Sequence, residues 1–203
     1  EACAKSAEDP ELAECYARTA RACRHVPAKP ARDFFEGLQA IALVHLASVV
    51  EGQGMSISIG LPDRALARFA AEVSGGFDEA VFLVRAFLLK VAANSYSGRG
   101  AKTQAVTVGG AGGDGDACSP VTAAFLDAFA RTPVADPTLY LRWHEALDET
   151  IRRKACEMLS RGRSMPLLVN DHQVVPGLLE AGVPDQEAWG YCIVGCNELS
   201  LPG

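Results

Sequence analysis

Two side chains near the end of the chain have types and a spacing that suit chemistry: the thiol of Cys196 and the carboxylate of Glu198. They lie in the stretch Tyr191-Cys-Ile-Val-Gly-Cys-Asn-Glu198, where a predicted strand runs into Gly195. Glycine adopts backbone angles that other residues avoid, so it favours a turn here. In extended backbone, residues two apart project to the same side. We therefore expect the thiol and the carboxylate to face one cavity.

A carboxylate next to a thiol disfavours the thiolate, which argues against Cys196 as a nucleophile. The pair suits a reaction that keeps the S–H bond until its hydrogen atom is removed. Two alternatives remain open on these residues alone. One is a structural cysteine beside a solvated glutamate, and the other is a hydrolase with Cys196 as nucleophile and His172 as its base.

The elements that would position this pair alternate along the chain. Apolar periodicity and capping signals predict helices over residues 11–24, 31–50, 62–73, 77–94, 120–131, 145–160 and 174–180, with another after Pro184. Alternating or apolar runs predict strands over residues 56–59, 103–108, 139–143, 165–169 and 191–194. Strands separated by helices of ten or more residues indicate an α/β fold with crossover connections. We expect a single α/β layer or part of a barrel.

The composition excludes several functional classes. The 203 residues are 49% hydrophobic and 22% charged, which is typical of a globular domain rather than a disordered chain. The net charge of −6, without a stripe of Lys or Arg, argues against a nucleic-acid partner. No apolar run approaches the roughly 20 residues that a membrane-spanning helix needs, so no membrane association is expected.

The seven cysteines are irregularly spaced and include no CxxC pair, and their density is below that of disulfide-stabilised scaffolds. They indicate free thiols in a reducing compartment, and hence a cytoplasmic protein. The first residues carry no signal-peptide pattern. The lack of an initiator methionine indicates a fragment of a longer protein.

Two other motifs favour structural roles. Gly110-Ala-Gly-Gly-Asp-Gly115 matches the dinucleotide-binding pattern GxGxxG, but Asp114 and Asp116 would place negative charge where a pyrophosphate must bind. A structural turn is the expectation. Asn170-Asp171-His172 lies at a strand end without further His or Cys at ligand spacing, so it predicts a loop lining a pocket rather than a metal site. No bound cofactor or metal is expected in this chain.

Motifs along nearly the whole chain resemble the glycyl radical enzymes, the pyruvate formate-lyase-like family. Each motif is weak alone, whereas their order and approximate spacing together are specific. The stretches that carry the resemblance are Val26-Pro-Ala-Lys-Pro-Ala-Arg-Asp-Phe-Phe-Glu-Gly-Leu-Gln39, His45-Leu-Ala, Glu51-Gly-Gln-Gly-Met-Ser-Ile-Ser-Ile-Gly60, Val108-Gly-Gly-Ala-Gly-Gly-Asp-Gly-Asp116, Met165-Pro-Leu-Leu-Val-Asn-Asp171, Val174-Val-Pro-Gly-Leu-Leu179 and Val194-Gly-Cys-Asn-Glu198.

The resemblance implies that residues 1–203 are the central part of an α/β barrel, with a cysteine finger loop near the C-terminal end. Cys196 matches the cysteine that becomes a thiyl radical and abstracts a hydrogen atom from the substrate. Glu198 matches the general base of the eliminating members. The candidate substrate-binding residues are Ser56, Asp171 and Asn197.

The resemblance also implies components outside this chain. The radical is stored on a backbone glycine in a C-terminal domain, whose Arg-Val-x-Gly-Tyr-type loop does not occur in these 203 residues. A separate S-adenosylmethionine iron–sulfur activating enzyme installs it. The complete enzyme is expected to be a homodimer that acts on a small-molecule substrate in an anaerobic cytoplasm.

Departures from the family pattern narrow the range of substrates and reactions that are expected. Met55 stands where diol-processing members carry a histidine, and Leu61 follows Gly60 where an arginine is common. The paired cysteines of formate acetyltransferases are absent, because the neighbours of Cys196 are glycine and asparagine. The missing histidine argues against a diol substrate, and the missing cysteine pair argues against acyl transfer. The resemblance of Gly195-Cys-Asn-Glu198 implies radical C–H abstraction followed by elimination, as in a dehydratase or other C–X lyase. The alternatives are radical C–C cleavage, by decarboxylation or acyl transfer, and a catalytically inactive module. This chain alone is expected to be inactive.

Overall fold

Helices form the first half of the described chain, and strands alternate with helices in the second half. The computed structural model describes residues 1–52, 57–95, 103–112 and 115–201. The helices are α1 (Ala2–Ser6), α2 (Pro10–Cys23), α3 (Phe34–Gly52), α4 (Pro62–Ala65), α5 (Ala70–Gly75), α6 (Phe77–Ser95), α7 (Pro120–Arg131), α8 (Glu149–Ser160), α9 (Asp171–Glu180) and α10 (Asp185–Ala188). The strands are β1 (Ala105–Gly109), β2 (Ala111–Gly112), β3 (Gly115–Asp116), β4 (Thr138–Trp143), β5 (Leu167–Asn170), β6 (Cys192–Val194) and β7 (Glu198–Ser200). The predicted α/β class is confirmed.

Some boundaries differ from the predictions. The helix predicted over residues 62–73 is instead α4, a 3-10 turn at Ala67–Phe69 and α5. The helix predicted from residue 145 is α8, which begins at Glu149. It begins there because the Asp148 side chain accepts hydrogen bonds from two backbone N–H groups of the first turn.

A three-stranded parallel sheet in the order β1-β4-β5 lies at the centre of the fold. Helix α7 lies between β1 and β4 in the chain, and α8 lies between β4 and β5, as crossovers between parallel strands require. On the other side of β1, Gly60 forms an isolated parallel bridge to Val106. The strand predicted over residues 56–59 is therefore not formed at residues 57–59, where only the following Gly60 bridges to β1, and Ser56 itself lies outside the described residues.

The two faces of β1 and β4 differ in chemistry. One face packs against α6, α7 and α8, and its residues are Val106, Val108, Leu139 and Leu141. The opposite face, called the polar face below, carries Thr107 on β1 together with Tyr140 and Arg142 on β4. All three of these polar side chains are buried. Because side chains alternate between the faces of a strand, the apolar sequence neighbours and the polar residues separate in this way.

Two antiparallel hairpins complete the sheet region. The β2–β3 hairpin follows the carboxyl end of β1. The β6–β7 hairpin packs against β1. Ile193 of this hairpin and Tyr191, which directly precedes β6, join a small apolar cluster with Ala105, Tyr140 and Val175. The polar face is therefore covered by the segment that contains Cys196.

Helix α3 is, among the described residues, the one helix long and apolar enough to cross a bilayer by length and composition. The expectation that no apolar segment approaches that length is therefore wrong for α3. The helix packs against α6, and its buried residues include Phe34 and Leu38 in the main core as well as the charged Glu36. The core helices of globular proteins can be equally long and apolar, so the length and composition of α3 do not by themselves identify a membrane span.

Candidate functional site

Cys196 lies at the tip of the β6–β7 hairpin, in a turn formed by Gly195, Cys196 and Asn197. Val194 pairs with Glu198 where the turn begins and ends. Gly195 has a φ of +56°, which is the left-handed region that favours glycine. A Cβ atom at this position would also lie 3.1 Å from the carboxyl carbon of Glu198. The glycine that the sequence singles out is thus required by both the turn and the adjacent carboxylate.

The Glu198 carboxylate closes the turn. Its Oε2 accepts hydrogen bonds from the backbone N–H of Cys196 at 2.7 Å and from that of Asn197 at 3.1 Å. Backbone N–H groups of Asn197, Glu198 and Cys196 lower the pKa of this carboxyl group, so it is ionised at neutral pH. The two candidate residues meet through a turn, and not through the extended backbone that the spacing predicts. The difference arises because the carboxylate accepts the N–H groups that the turn leaves unpaired.

Three hydroxyl groups hold the hairpin onto the sheet. The Tyr140 hydroxyl donates to the carbonyl oxygen of Cys196 at 2.7 Å. Ser58 Oγ accepts the N–H of Gly195 at 3.2 Å, and Thr107 Oγ1 accepts the N–H of Ile193 at 3.0 Å. Ser58, Thr107 and Tyr140 are called the hydroxyl clasp below.

Sequence reasoning missed the clasp as a group. The signal available in the sequence was a polar residue between apolar neighbours on strands that are otherwise apolar. Thr107 lies between two valines and Tyr140 between two leucines. Alternation identifies a polar face but does not say what covers it.

Asp171 is buried in an ion pair with Arg142. Arg142 Nε donates to Asp171 Oδ1 at 2.9 Å, and Arg142 Nη2 donates to Oδ2 at 3.0 Å. Asp171 also accepts the Tyr191 hydroxyl at 2.5 Å and the N–H of Ala111 at 2.8 Å. Burial, followed by the hydrogen bond to Asp171, raises the pKa of Tyr191. Both oxygens of the predicted substrate-binding carboxylate therefore already accept protein donors.

A cavity of about 440 Å³ opens at the carboxyl edge of the sheet. Asp171 and His172 line it at the start of α9, together with Ala111, His144 and Trp189. Asp171 and His172 thus line a pocket as predicted, but they form the first turn of α9 and not a loop, because the Asn170 side chain caps that helix. The His172 imidazole is exposed and lies 4.0 Å from Glu145. Among the described contacts none joins His172 to the Cys196 thiol, which leaves the hydrolase alternative without geometric support.

Of the two remaining candidates, Asn197 lies at the hairpin tip and Ser56 lies outside the described residues. Asn197 is exposed beside Cys196, and its side-chain oxygen lies 3.5 Å from the Tyr140 hydroxyl. Ser56 falls in the segment that the structure does not describe, whereas Ser58 contacts the hairpin backbone. The structure therefore brings Cys196, Asn197 and Glu198 together, with Asp171 in contact with the base of the same hairpin through Tyr191.

The glycine-rich segment after β1 makes room for a protein side chain. Gly110 has a φ of +90°, and a Cβ atom there would lie 2.5 Å from Arg142 Nε. Ala111 and Gly112 form β2 of the short hairpin. The described residues of the GxGxxG match therefore pack against a guanidinium and form a short hairpin, whereas Gly113 and Asp114 lie outside the described residues.

A second buried acid and its neighbour fix the start of this turn. Asp63 Oδ2 accepts the N–H of Gly109 at 2.8 Å and the hydroxyl of Thr122 at 2.7 Å. Burial raises the pKa of Asp63. The Arg64 guanidinium donates to the carbonyl oxygens of Gly109 and Ala111, each at 3.0 Å. These contacts are structural, because each joins the side chain to backbone or to another buried side chain.

The described residues contain no group of three or more His, Cys, Asp or Glu side chains arranged to hold a metal ion. All seven cysteines are free thiols, and Cys196 is among the exposed ones. The groups at the hairpin tip that could take part in chemistry are therefore its thiol, its carboxylate and the adjacent amide.

Comparisons with known proteins find similar sequences over nearly the whole length of this chain. The sequence model of the pyruvate formate lyase-like family matches residues 1–203. The isethionate sulfite-lyase of Bilophila wadsworthia is 30% identical over 218 residues, which cover 100% of this chain and 26% of the relative. The (2S)-3-sulfopropanediol dehydratase of Klebsiella oxytoca is 27% identical over 220 residues, which cover 98% of this chain and 26% of the relative. The chain spans about a quarter of the length of these relatives.

The fold is also similar to that of solved structures. A glycyl radical enzyme from Archaeoglobus fulgidus superposes with a TM-score of 0.83 at 28% identity. The match covers 97% of this chain and 27% of the solved chain. The mixed α/β arrangement described above is therefore one that a glycyl radical enzyme contains.

Proposed function

This chain belongs to the pyruvate formate lyase-like family, and on that premise we propose that it is the central part of a glycyl radical enzyme that eliminates a group from a small polar substrate. The observation that carries the proposal is the β6–β7 turn. There Gly195-Cys-Asn-Glu198 places an exposed thiol beside an ionised carboxylate. Two relatives that span the chain are named as a lyase and a dehydratase, which supports elimination over C–C cleavage.

The reaction uses the S–H bond of Cys196 and the carboxylate of Glu198. A protein glycyl radical outside these residues would supply the one-electron chemistry that removes the hydrogen atom from the thiol. The Cys196 sulfur radical then abstracts a hydrogen atom from a substrate carbon that bears a hydroxyl group. Glu198 accepts the hydroxyl proton, and the leaving group departs from the neighbouring carbon with its bonding electron pair. The product radical takes a hydrogen atom from the Cys196 S–H, which regenerates the sulfur radical.

The turn fits these two tasks. A general base must be deprotonated before the substrate binds, and the backbone N–H groups of the turn keep Glu198 ionised. A hydrogen-atom donor must be held at a defined distance from its acceptor, and the hydroxyl clasp fixes the backbone on both sides of the thiol. Cys196 is the finger-loop cysteine of this proposal.

Substrate contacts are assigned to Asn197, Asp171 and Ser56. Asn197 is the direct candidate, because its exposed amide lies next to Cys196 at the tip. Asp171 lies in the wall of the cavity at the carboxyl edge of the sheet. Because Arg142, Tyr191 and Ala111 already donate to both of its oxygens, its proposed part is to hold that wall in place for the substrate. Ser56 lies two positions before Ser58, the residue that contacts the finger loop.

Activation of the complete enzyme requires a partner. We assign that role to an iron–sulfur activating enzyme that uses S-adenosylmethionine, with the radical glycine in a C-terminal domain outside residues 1–203. The complete enzyme is proposed to be a cytoplasmic homodimer that contacts neither nucleic acid nor a membrane.

The test is anaerobic activation of the complete enzyme, followed by electron paramagnetic resonance and assays of substrate turnover. Expected are a glycyl radical doublet and turnover of one member of a panel that includes isethionate, (2S)-3-sulfopropanediol, small polyols, amino alcohols and 2-keto acids. Cys196→Ser should keep the doublet and abolish turnover. Turnover of a 2-keto acid alone would replace elimination by C–C cleavage, and absence of both signal and turnover would identify an inactive module.

A further inference from the structure

Within the described part of the chain, Tyr140 is the residue of the three-stranded sheet whose side chain hydrogen-bonds to the backbone of Cys196. Its hydroxyl donates to the Cys196 carbonyl oxygen at 2.7 Å. The same hydroxyl lies 3.5 Å from the side-chain oxygen of Asn197. One side chain of β4 therefore contacts both exposed residues of the tip.

The position of Tyr140 in the sheet makes this contact rigid. The residue is 2% exposed and lies on the central strand, hydrogen-bonded to β1 on one side and β5 on the other. Its ring packs among Ala105, Val175, Tyr191 and Ile193. A donor held in this way has few alternative positions, so it restricts the carbonyl that it binds.

The rest of the turn does not fix the Cys196 carbonyl. Glu198 accepts N–H groups of the turn, and Ser58 accepts the N–H of Gly195. Neither can hold a carbonyl oxygen by these contacts, because both act as acceptors in them. The peptide that follows Cys196 is therefore held from two sides: Glu198 accepts its N–H, and the Tyr140 hydroxyl donates to its carbonyl oxygen.

The Tyr140 hydroxyl keeps its hydrogen under working conditions. Burial raises the pKa of Tyr140, and the neighbouring Cys196 and Glu198 raise it further. A phenol in such surroundings remains a donor at neutral pH.

We propose that Tyr140 is a positioning residue for hydrogen-atom transfer at Cys196: its hydroxyl orients the Cys196 peptide so that the sulfur meets its reaction partners at the required distance. This role rests on the function proposed above. It assigns to Tyr140 no contact with the reacting atoms.

The test follows exchange between the thiol and the protein radical, which needs no knowledge of the substrate. In D₂O the Cys196 thiol becomes S–D. Transfer of that deuterium atom breaks the S–D bond, forms a C–D bond at the glycine and leaves the unpaired electron on sulfur. On return, either the hydrogen or the deuterium is removed from the glycine. The proton-split doublet therefore collapses to a singlet at a rate that reports the transfer.

The complete enzyme is activated in H₂O and then mixed with D₂O, as wild type, Tyr140→Phe, Tyr191→Phe and Cys196→Ser. Tyr140→Phe removes the hydroxyl and keeps the ring, and we expect collapse of the doublet to slow about 100-fold with the radical yield unchanged. Tyr191→Phe is the matched control, because it also removes a buried tyrosine hydroxyl, one that donates to Asp171. It should lower the unfolding temperature and leave the exchange rate within about twofold of wild type.

The outcomes separate this role from the proposed function. Equal exchange in Tyr140→Phe and wild type would overturn the role of Tyr140 and leave the function of Cys196 intact. Slowing of the same size in Tyr191→Phe would also overturn it, because general loosening of the hairpin region would then explain the effect. Exchange that persists in Cys196→Ser, or no radical in wild type, would instead overturn the proposed function.

Discussion

The carboxylate of Glu198 accepts a hydrogen bond from the backbone N–H of Cys196 at 2.7 Å, so the two candidate catalytic residues are joined within one turn. The same oxygen accepts the N–H of Asn197. Glu198 therefore combines a structural task, closing the turn, with the proposed chemical task of taking a proton. Substitutions that keep the acceptor and remove the charge distinguish the two.

Glu198→Gln is expected to lower turnover about 10²- to 10⁴-fold, because the amide oxygen still accepts the turn N–H groups but cannot act as a general base. The yield of the glycyl radical should be unchanged. Glu198→Ala removes the acceptor as well, so it should also slow the D₂O exchange described above. Turnover and D₂O exchange are measured in the two variants. If Glu198→Gln kept more than a tenth of wild-type turnover, Glu198 would not be the general base.

Asp171→Asn is expected to destabilise the protein by about 3–5 kcal/mol, because it leaves the fully buried Arg142 guanidinium without its counter-charge. Chemical denaturation measures this change in the free energy of unfolding. Glu14→Gln is the control, since it breaks an exposed ion pair with Arg21 and should change stability by less than about 1 kcal/mol. An Asn variant of normal stability with a raised KM would show that Asp171 acts chiefly on the substrate.

The loss of folding stability at acidic pH should depend on the ion pair between Arg32 and Glu36. Hydrogen bonds from Arg32 lower the pKa of Glu36 from 4.5 to about 2 in the folded protein. A lowered folded-state pKa adds stability above the unfolded value, and this stability is lost as the pH falls from about 4.5 towards 2. Glu36→Gln removes this dependence, and Arg32→Gln should weaken it through the same interaction. Urea midpoints between pH 5 and pH 2.5 test this, and parallel curves for wild type and both variants would contradict it.

Two glycine substitutions should change stability in opposite directions. Gly110→Ala places a methyl group 2.5 Å from Arg142 Nε at a φ of +90°, so we expect a loss of at least about 3 kcal/mol. Gly177→Ala lies in α9 with no atom within 4 Å of the added carbon, so a gain of about 0.5–1 kcal/mol is expected. Thermal and urea unfolding of both variants provide the comparison. A tolerated Gly110→Ala would show that the Arg142 side chain can move.

Local patterns predict the elements well where a single periodicity extends over many residues. The helix over residues 77–94 and the strand over residues 139–143 agree with α6 and β4 to within one residue at each end. The helix predicted over residues 62–73 is interrupted by the 3-10 turn at Ala67–Phe69. The Asp63 and Arg64 side chains before this turn bind the backbone at the end of β1, a long-range contact that local periodicity does not specify. The sequence analysis also missed that α3 is long and apolar enough to cross a membrane. The packing of α3 against α6 is a tertiary contact that its own sequence does not specify.

The sequence by itself determined the α/β class, the turn at Gly195 and the presence of a thiol and a carboxylate two positions apart beside it. These properties depend on residues that are adjacent in the chain, so their spacing carries the information. Tertiary structure alone decided which groups hold the turn: Ser58 reaches Gly195 across 137 positions, and Tyr140 reaches Cys196 across 56. Such contacts depend on the order of strands in the sheet and on which face the hairpin covers. Hydrogen-bonding capacity in one segment does not specify a partner that only folding brings within hydrogen-bond distance.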